Sequence, residues 1–150
     1  MKIELKPIDD RNKSQCITLK VTADQMQYIA SNKDSLEEAS LNVGIARPFA
    51  IYIDGTIVGF TMFAFDEEND DPCDKYCLWR FMIDESLQGK GYGSAALKEI
   101  IRYFKENDAD QITLSTKESN TAALGLYHKF GFKENGQMSE DEIVLKLHLK

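Results

Sequence analysis

Apolar positions along the chain follow two rhythms. Period-two alternation or short apolar runs predict strands over residues 2–6, 49–53, 57–65, 77–83, 111–115, 132–137 and 142–149. The last is the clearest, with Ile143, Leu145, Leu147 and Leu149 alternating with Val144, Lys146 and His148. Asp54-Gly55-Thr56 joins the second and third runs as a hairpin turn. The 57–65 run is apolar almost throughout, as in a strand covered on both faces.

Helical spacing takes over elsewhere. Leu97, Ile100, Ile101 and Phe104 fall at i, i+3, i+4 and i+7, with Lys98, Glu99, Arg102 and Lys105 largely opposite. Asn107-Asp108 ends that helix. Others are predicted over 12–19, 22–30 and 35–41, the last two separated by the polar break Ser31-Asn32-Lys33-Asp34, and over 121–130 before Gly131. An acidic loop occupies 66–74. The strand–helix–strand order from 77 to 115 makes a parallel crossover unit. The pattern predicts one α/β domain, a mixed sheet with helices on both faces.

Composition fits that reading. A chain of 150 residues, 43% hydrophobic and 10% aromatic, has material for a core. Its start lacks the apolar run of a signal peptide, and no stretch reaches membrane-spanning length. Three cysteines without such a signal suggest a reducing cytoplasm. A net charge of −7 argues against nucleic acid as a partner. It suits a cationic substrate, and equally a role in solubility alone.

The main candidate chemistry lies between the strand ending near Asp84 and the helix that follows. Gly89, Gly91 and Gly93 alternate there. Glycines before a helix let unpaired backbone N–H groups approach an anion, which the helix dipole favours. The stretch reads as a pyrophosphate cradle. Gly91-x-Gly93-x-x-Ala96 also mimics a dinucleotide fingerprint, but no acid lies near 113–115 to hold a ribose. No Gly-Lys-Ser/Thr closes a P-loop either.

Gln88-x-x-Gly91-x-Gly93 resembles the Gln/Arg-x-x-Gly-x-Gly/Ala signature of the GNAT superfamily of N-acetyltransferases. The segment Asn120-Thr-Ala-Ala123-Leu124-Gly-Leu126-Tyr127-His-Lys129-Phe-Gly131-Phe132 is similar to a second motif of that family. Asn120, Ala123 and Tyr127 then share one helix face. The resemblance implies a mostly antiparallel central sheet with one parallel, splayed pair and helices on both faces. It implies that Gln88, Gly89, Lys90, Gly91, Tyr92, Gly93 and Ser94 hold the pyrophosphate of acetyl coenzyme A. Phe81, Met82 and Ile83 would offer main-chain groups to the pantetheine arm, with Asn120 and Ala123 beside it. Tyr127 is the candidate general acid toward the departing thiolate, its alternative role being a core aromatic. No general base is legible, and no activated cysteine or serine suggests an acetyl-enzyme.

The likeness extends to bacterial spermine/spermidine (diamine) N-acetyltransferases, through the stretch from Val21 to Asn32, through Pro48 to Tyr52, and through Arg80-Phe81-x-Ile83-Asp84. It implies a small amine acceptor, a polyamine foremost, and by analogy a homodimer. Glu37, Glu38, Asp66, Glu67 and Glu68 are the candidate acceptor-binding residues, against the plainer reading of a solvated acidic loop. Other small amines or amino acids, or a non-catalytic acyl-coenzyme-binding module, are the alternatives. Arg80 reads as the partner of an acidic residue. Cys73 and Cys77 lack the second ligand pair that a zinc site needs, so no metal is expected. Cys16 reads as a small apolar filler. Gly125 inside a helix has no functional explanation at this level.

Overall fold

A computed structural model describes residues 1–21 and 31–150. The helix expected over 22–30 lies outside the described residues. Seven strands form one sheet in the order β1-β2-β3-β4-β5-β7-β6. They are β1 Ile3–Pro7, β2 Ala46–Ile53, β3 Thr56–Phe65, β4 Tyr76–Ile83, β5 Gln111–Thr116, β6 Lys133–Ser139 and β7 Glu142–His148. Every neighbouring pair is antiparallel except β4 and β5. The described helices are α1 Lys13–Thr18, α2 Asn32–Leu41, α3 Pro72–Lys75, α4 Tyr92–Glu106 and α5 Thr121–Lys129.

Two helices depart from the sequence expectation, each because of a cap. Ser31, read as part of a polar break, is the N-cap of α2 and accepts from the Asp34 N–H at 3.1 Å. The helix therefore starts at Asn32. In the acidic loop, Asp71 accepts from the Cys73 N–H at 2.9 Å and Pro72 fills the first helical position, so one turn of helix forms there.

Both faces of the sheet are covered. Leu97, Ile100 and Phe104 of α4 pack on Phe49, Phe63, Phe65, Ile112, Leu114 and Leu145. On the other face, Cys16 of α1 packs with Phe60, Met62 and Met82, with Leu36 and Ala39 of α2 beside them. Gly59 of β3 lets β4 come close: a Cβ there would stand 2.3 Å from the Met82 carbonyl oxygen.

The pairing of β4 with β5 is confined to Cys77 opposite Thr113. A β-bulge follows at once. Phe63 pairs with Leu78 and Met62 with Arg80, so Trp79 is the extra residue. Bulges bend a strand and increase its twist. Here the bend carries β4 away from β5 and opens a wedge in the middle of the sheet. The bulge also shifts the alternation, so Leu78 and Phe81, three positions apart, both contact the α4-side core.

Candidate active site

The wedge is the mouth of a cleft of about 890 Å³. Its walls include Phe81, Met82 and Ile83 of β4, Gln88, Gly89 and Gly93 of the glycine turn, and Asn120, Ala123 and Tyr127 of the α5 segment. These sequence-predicted residues are thus brought together. Lys90, Gly91, Tyr92 and Ser94 lie next to the wall without forming it. The Tyr92 side chain packs toward Ile51, Val58 and Ala96.

Local chemistry sets the turn. Asp84 ends β4 and accepts from the N–H groups of Lys20 at 2.8 Å and Ser86 at 3.2 Å. Burial works against its charge, but hydrogen bonds from Ser86 and Lys20 prevail and hold its pKa below the usual carboxylate value. Gln88 donates its side-chain amide to the Ile83 carbonyl at 2.9 Å, tying the turn back to the strand. Gly91 is the N-cap of α4 with φ +82° and supplies no side-chain cap. A residue without a Cβ takes that left-handed conformation freely. The first N–H groups of α4 consequently point outward with no intrahelical acceptor, an arrangement that suits an anion.

Tyr127 lies half-buried on the cleft wall, its ring edge-on to Phe132 at 5.6 Å between centroids. Burial pushes its phenol pKa up to about 12. The hydroxyl therefore stays protonated at neutral pH, as a proton donor must. Asn120 turns its amide toward the Thr116 hydroxyl at 3.4 Å.

The acids expected to bind the acceptor are placed differently. None of Glu37, Glu38, Asp66, Glu67 and Glu68 forms the cleft wall. Glu37 is exposed on α2. Glu38 meets Arg80 at 2.6 Å, which is the partnership expected for that arginine. Asp66 accepts from Asn69 at 3.2 Å, and Glu67 and Glu68 are exposed at the loop tip. The carboxylates that do line the cleft are Asp71, Asp74 and Glu142. The sequence signal near the first two is Asp71-Pro72, a helix-start pair that begins the single turn of α3.

Burial of Cys16 and Cys77 raises both thiol pKa values to about 12, so neither is an activated nucleophile. Among the described residues no group of His, Cys, Asp and Glu is arranged to hold a metal ion, and no helix is long and apolar enough to cross a membrane. His128 pairs with Glu134 at 2.9 Å, away from the cleft.

Residues 15–132 match the family model described as acetyltransferase (GNAT) family. The Spermine/spermidine N(1)-acetyltransferase of Bacillus subtilis strain 168 is 37% identical over 141 residues, covering 92% of each chain. Among solved structures, the spermidine N-acetyltransferase of Vibrio cholerae in complex with CoA and spermine superposes with a TM-score of 0.71 at 19% identity, over 96% of this chain and 92% of that one. The PaiA N-acetyltransferase of Thermoplasma acidophilum in complex with coenzyme A gives 0.73 at 18% identity, over 99% of both. At such identities the likeness to these two structures is one of fold.

Proposed function

Because the chain belongs to the acetyltransferase (GNAT) family and is an acetyl-coenzyme-A-dependent N-acetyltransferase, we propose that its acceptor is a polyamine such as spermine or spermidine, with Tyr127 as general acid. One observation carries the acceptor class: 37% identity across 92% of the chain to a protein named for spermine and spermidine acetylation. The carboxylates of Asp71, Asp74 and Glu142 on the cleft wall are in keeping with a polycation.

The coenzyme suits the residues present. The N–H groups of Tyr92, Gly93 and Ser94, opened by the uncapped Gly91 start of α4, are the proposed pyrophosphate seat, with Lys90 adding positive charge. Beyond Cys77, the β4 edge facing the wedge is unpaired with β5, which leaves main-chain groups near Phe81, Met82 and Ile83 for the pantetheine arm. Bound acetyl coenzyme A supplies an acetyl group activated as a thioester. Asn120 and Ala123 border the arm, where a small side chain leaves room for it.

An alkylamine, with a pKa near 10.4, must shed a proton before its nitrogen can bond to the acetyl carbon. The ammonium proton passes to solvent, and the carbon–sulfur bond breaks as the neutral nitrogen bonds to the acetyl carbon. Tyr127 gives its phenolic proton to the leaving sulfur, and the surplus proton on nitrogen then returns Tyr127 to the phenol. Transfer is taken as direct, from amine to acetyl carbon, with no acetyl-enzyme.

The test is an assay of free thiol released from acetyl coenzyme A in the presence of spermine, spermidine, lysine or small aromatic amines. Amine-dependent release with the highest kcat/KM for polyamines is expected. Preference for an uncharged or anionic acceptor would remove the polyamine assignment. Thiol release indifferent to every amine would point to a binding module.

A further inference from the structure

We propose that the acceptor's ammonium groups seat at the end of the cleft walled by Asp71, Asp74 and Glu142, beside the buried hydroxyl of Thr113. The inference rests on the amine-acceptor reading above and assigns the residues that would make it specific.

The first support is placement. All four residues line the same cleft as Tyr127. Thr113 alternates with Ile112 and Leu114, whose side chains pack toward α4. Thr113 therefore points to the opposite sheet face, as does Gln111, which donates to the Pro72 carbonyl of α3 at 2.6 Å. Tyr127 belongs to the core on the α4 side. Proton donor and acid wall thus reach the wedge from opposite faces, and a nucleophile held by the acids would approach across from the leaving group.

The second is unmet capacity. Asp71, Asp74 and Glu142 have no ion-pair partner among the described residues. Asp71 spends one oxygen on the Cys73 N–H, and Glu142 accepts one hydrogen bond from Ser115 at 3.0 Å. Their other oxygens remain for a ligand.

Thr113 is the independent sign. It is 5% exposed, and its Oγ1 is buried with no hydrogen-bond partner. Buried hydroxyls are ordinarily satisfied, so an unmet one on a cleft wall marks a place for a polar ligand atom. The nearby cations do not cancel the field. Arg80 is paired with Glu38, and Lys146, opposite Thr113 in β7, is not part of the cleft wall. Asp74 and Asp71 lie close to Cys77, whose thiol pKa is raised by burial first and then by Asp74, Cys73, Asp71 and Asp66.

The experiment compares steady-state kinetics with spermine for wild type, Asp74→Asn, Glu142→Gln, their double variant, Thr113→Val and the triple variant Asp66→Asn/Glu67→Gln/Glu68→Gln. Calorimetric titration of spermine into each protein saturated with coenzyme A measures the same loss without turnover. The double variant should raise the spermine KM by about tenfold or more, with the KM for acetyl coenzyme A unchanged. Thr113→Val should raise the spermine KM several-fold while its Tm rises; a hydroxyl with only a structural role would move Tm alone. An unaltered spermine KM in the double variant, or an equal rise in the triple variant, overturns the seat and leaves amine acetylation standing. Wild-type turnover of uncharged amines only would overturn both.

Discussion

The hydroxyl of Thr61 donates to the main-chain carbonyl of Arg80 across 2.7 Å, one residue past the bulge at Trp79. Thr61 is completely buried, so no water stands ready to replace it. The bond pins β4 where it leaves β5, and with it the width of the cleft. Thr61→Val keeps the shape and removes the donor, at a cost of about 1 kcal/mol. Urea denaturation should register that loss, and kcat/KM should fall for both substrates together. Unchanged stability would mean that the bulge is held by something else.

Glu38 enters the same region as a neutraliser. Its carboxylate holds the Arg80 guanidinium at 2.6 Å, with side-chain exposures of 42% and 24%, and Arg80 forms part of the cleft wall. Glu38→Gln leaves a positive charge facing a polycationic acceptor, so the KM for spermine should rise, with a stability loss of about 1 kcal/mol. Adding Arg80→Met should restore much of the KM. If Glu38 instead bound the amine directly, the double variant would remain as impaired as the single one, and the double-mutant cycle separates the two cases.

The parts of the fold that were legible in sequence are those where a repeating buried face leaves a period. α4, with Leu97, Ile100 and Phe104 fully buried, and the β2–β3 hairpin are of this kind. The glycine turn was legible for a different reason, since its φ values need glycine and few other settings do. What was hidden depends on single contacts. The bulge at Trp79 carries no residue signature, yet it creates the wedge. The candidate acids Glu37, Glu38, Asp66, Glu67 and Glu68 lie off the cleft wall, and a charge run alone does not say which of its members line a cleft. Asp71, from the same run, does line it while its side chain caps α3.

Two glycines with equally open surroundings should respond to alanine in opposite directions. A Cβ at either Gly91 or Gly125 would meet nothing within 4 Å. Gly91 has φ +82°, so alanine there costs about 1–2 kcal/mol in backbone strain and displaces the start of α4. Gly125 lies exposed within α5, where alanine stabilises by about 1 kcal/mol. Thermal unfolding should show Gly125→Ala rising and Gly91→Ala falling. Only Gly91→Ala should raise the KM for acetyl coenzyme A. A normal KM in that variant would detach the cradle from coenzyme binding.

Tyr127 makes a prediction that depends on the sign of its shift. Burial moves its pKa from 10.0 to about 12. The folded protein therefore keeps the phenolic proton over a range where the unfolded chain loses it. Its contribution to stability is complete below pH 10, and is lost as pH climbs toward 12. Catalytically, the donor form persists while the amine deprotonates. Wild-type kcat should accordingly not decline up to about pH 10, where an unshifted phenol would already be half ionised. Tyr127→Phe should lower kcat by about 100-fold, the usual size of a general-acid contribution, while coenzyme A binds with unaltered affinity. Equal turnover by the two proteins would take Tyr127 out of the reaction. A kcat that halves near pH 10 and no longer does so in the variant would instead keep it there, with an ordinary phenol in place of a buried one.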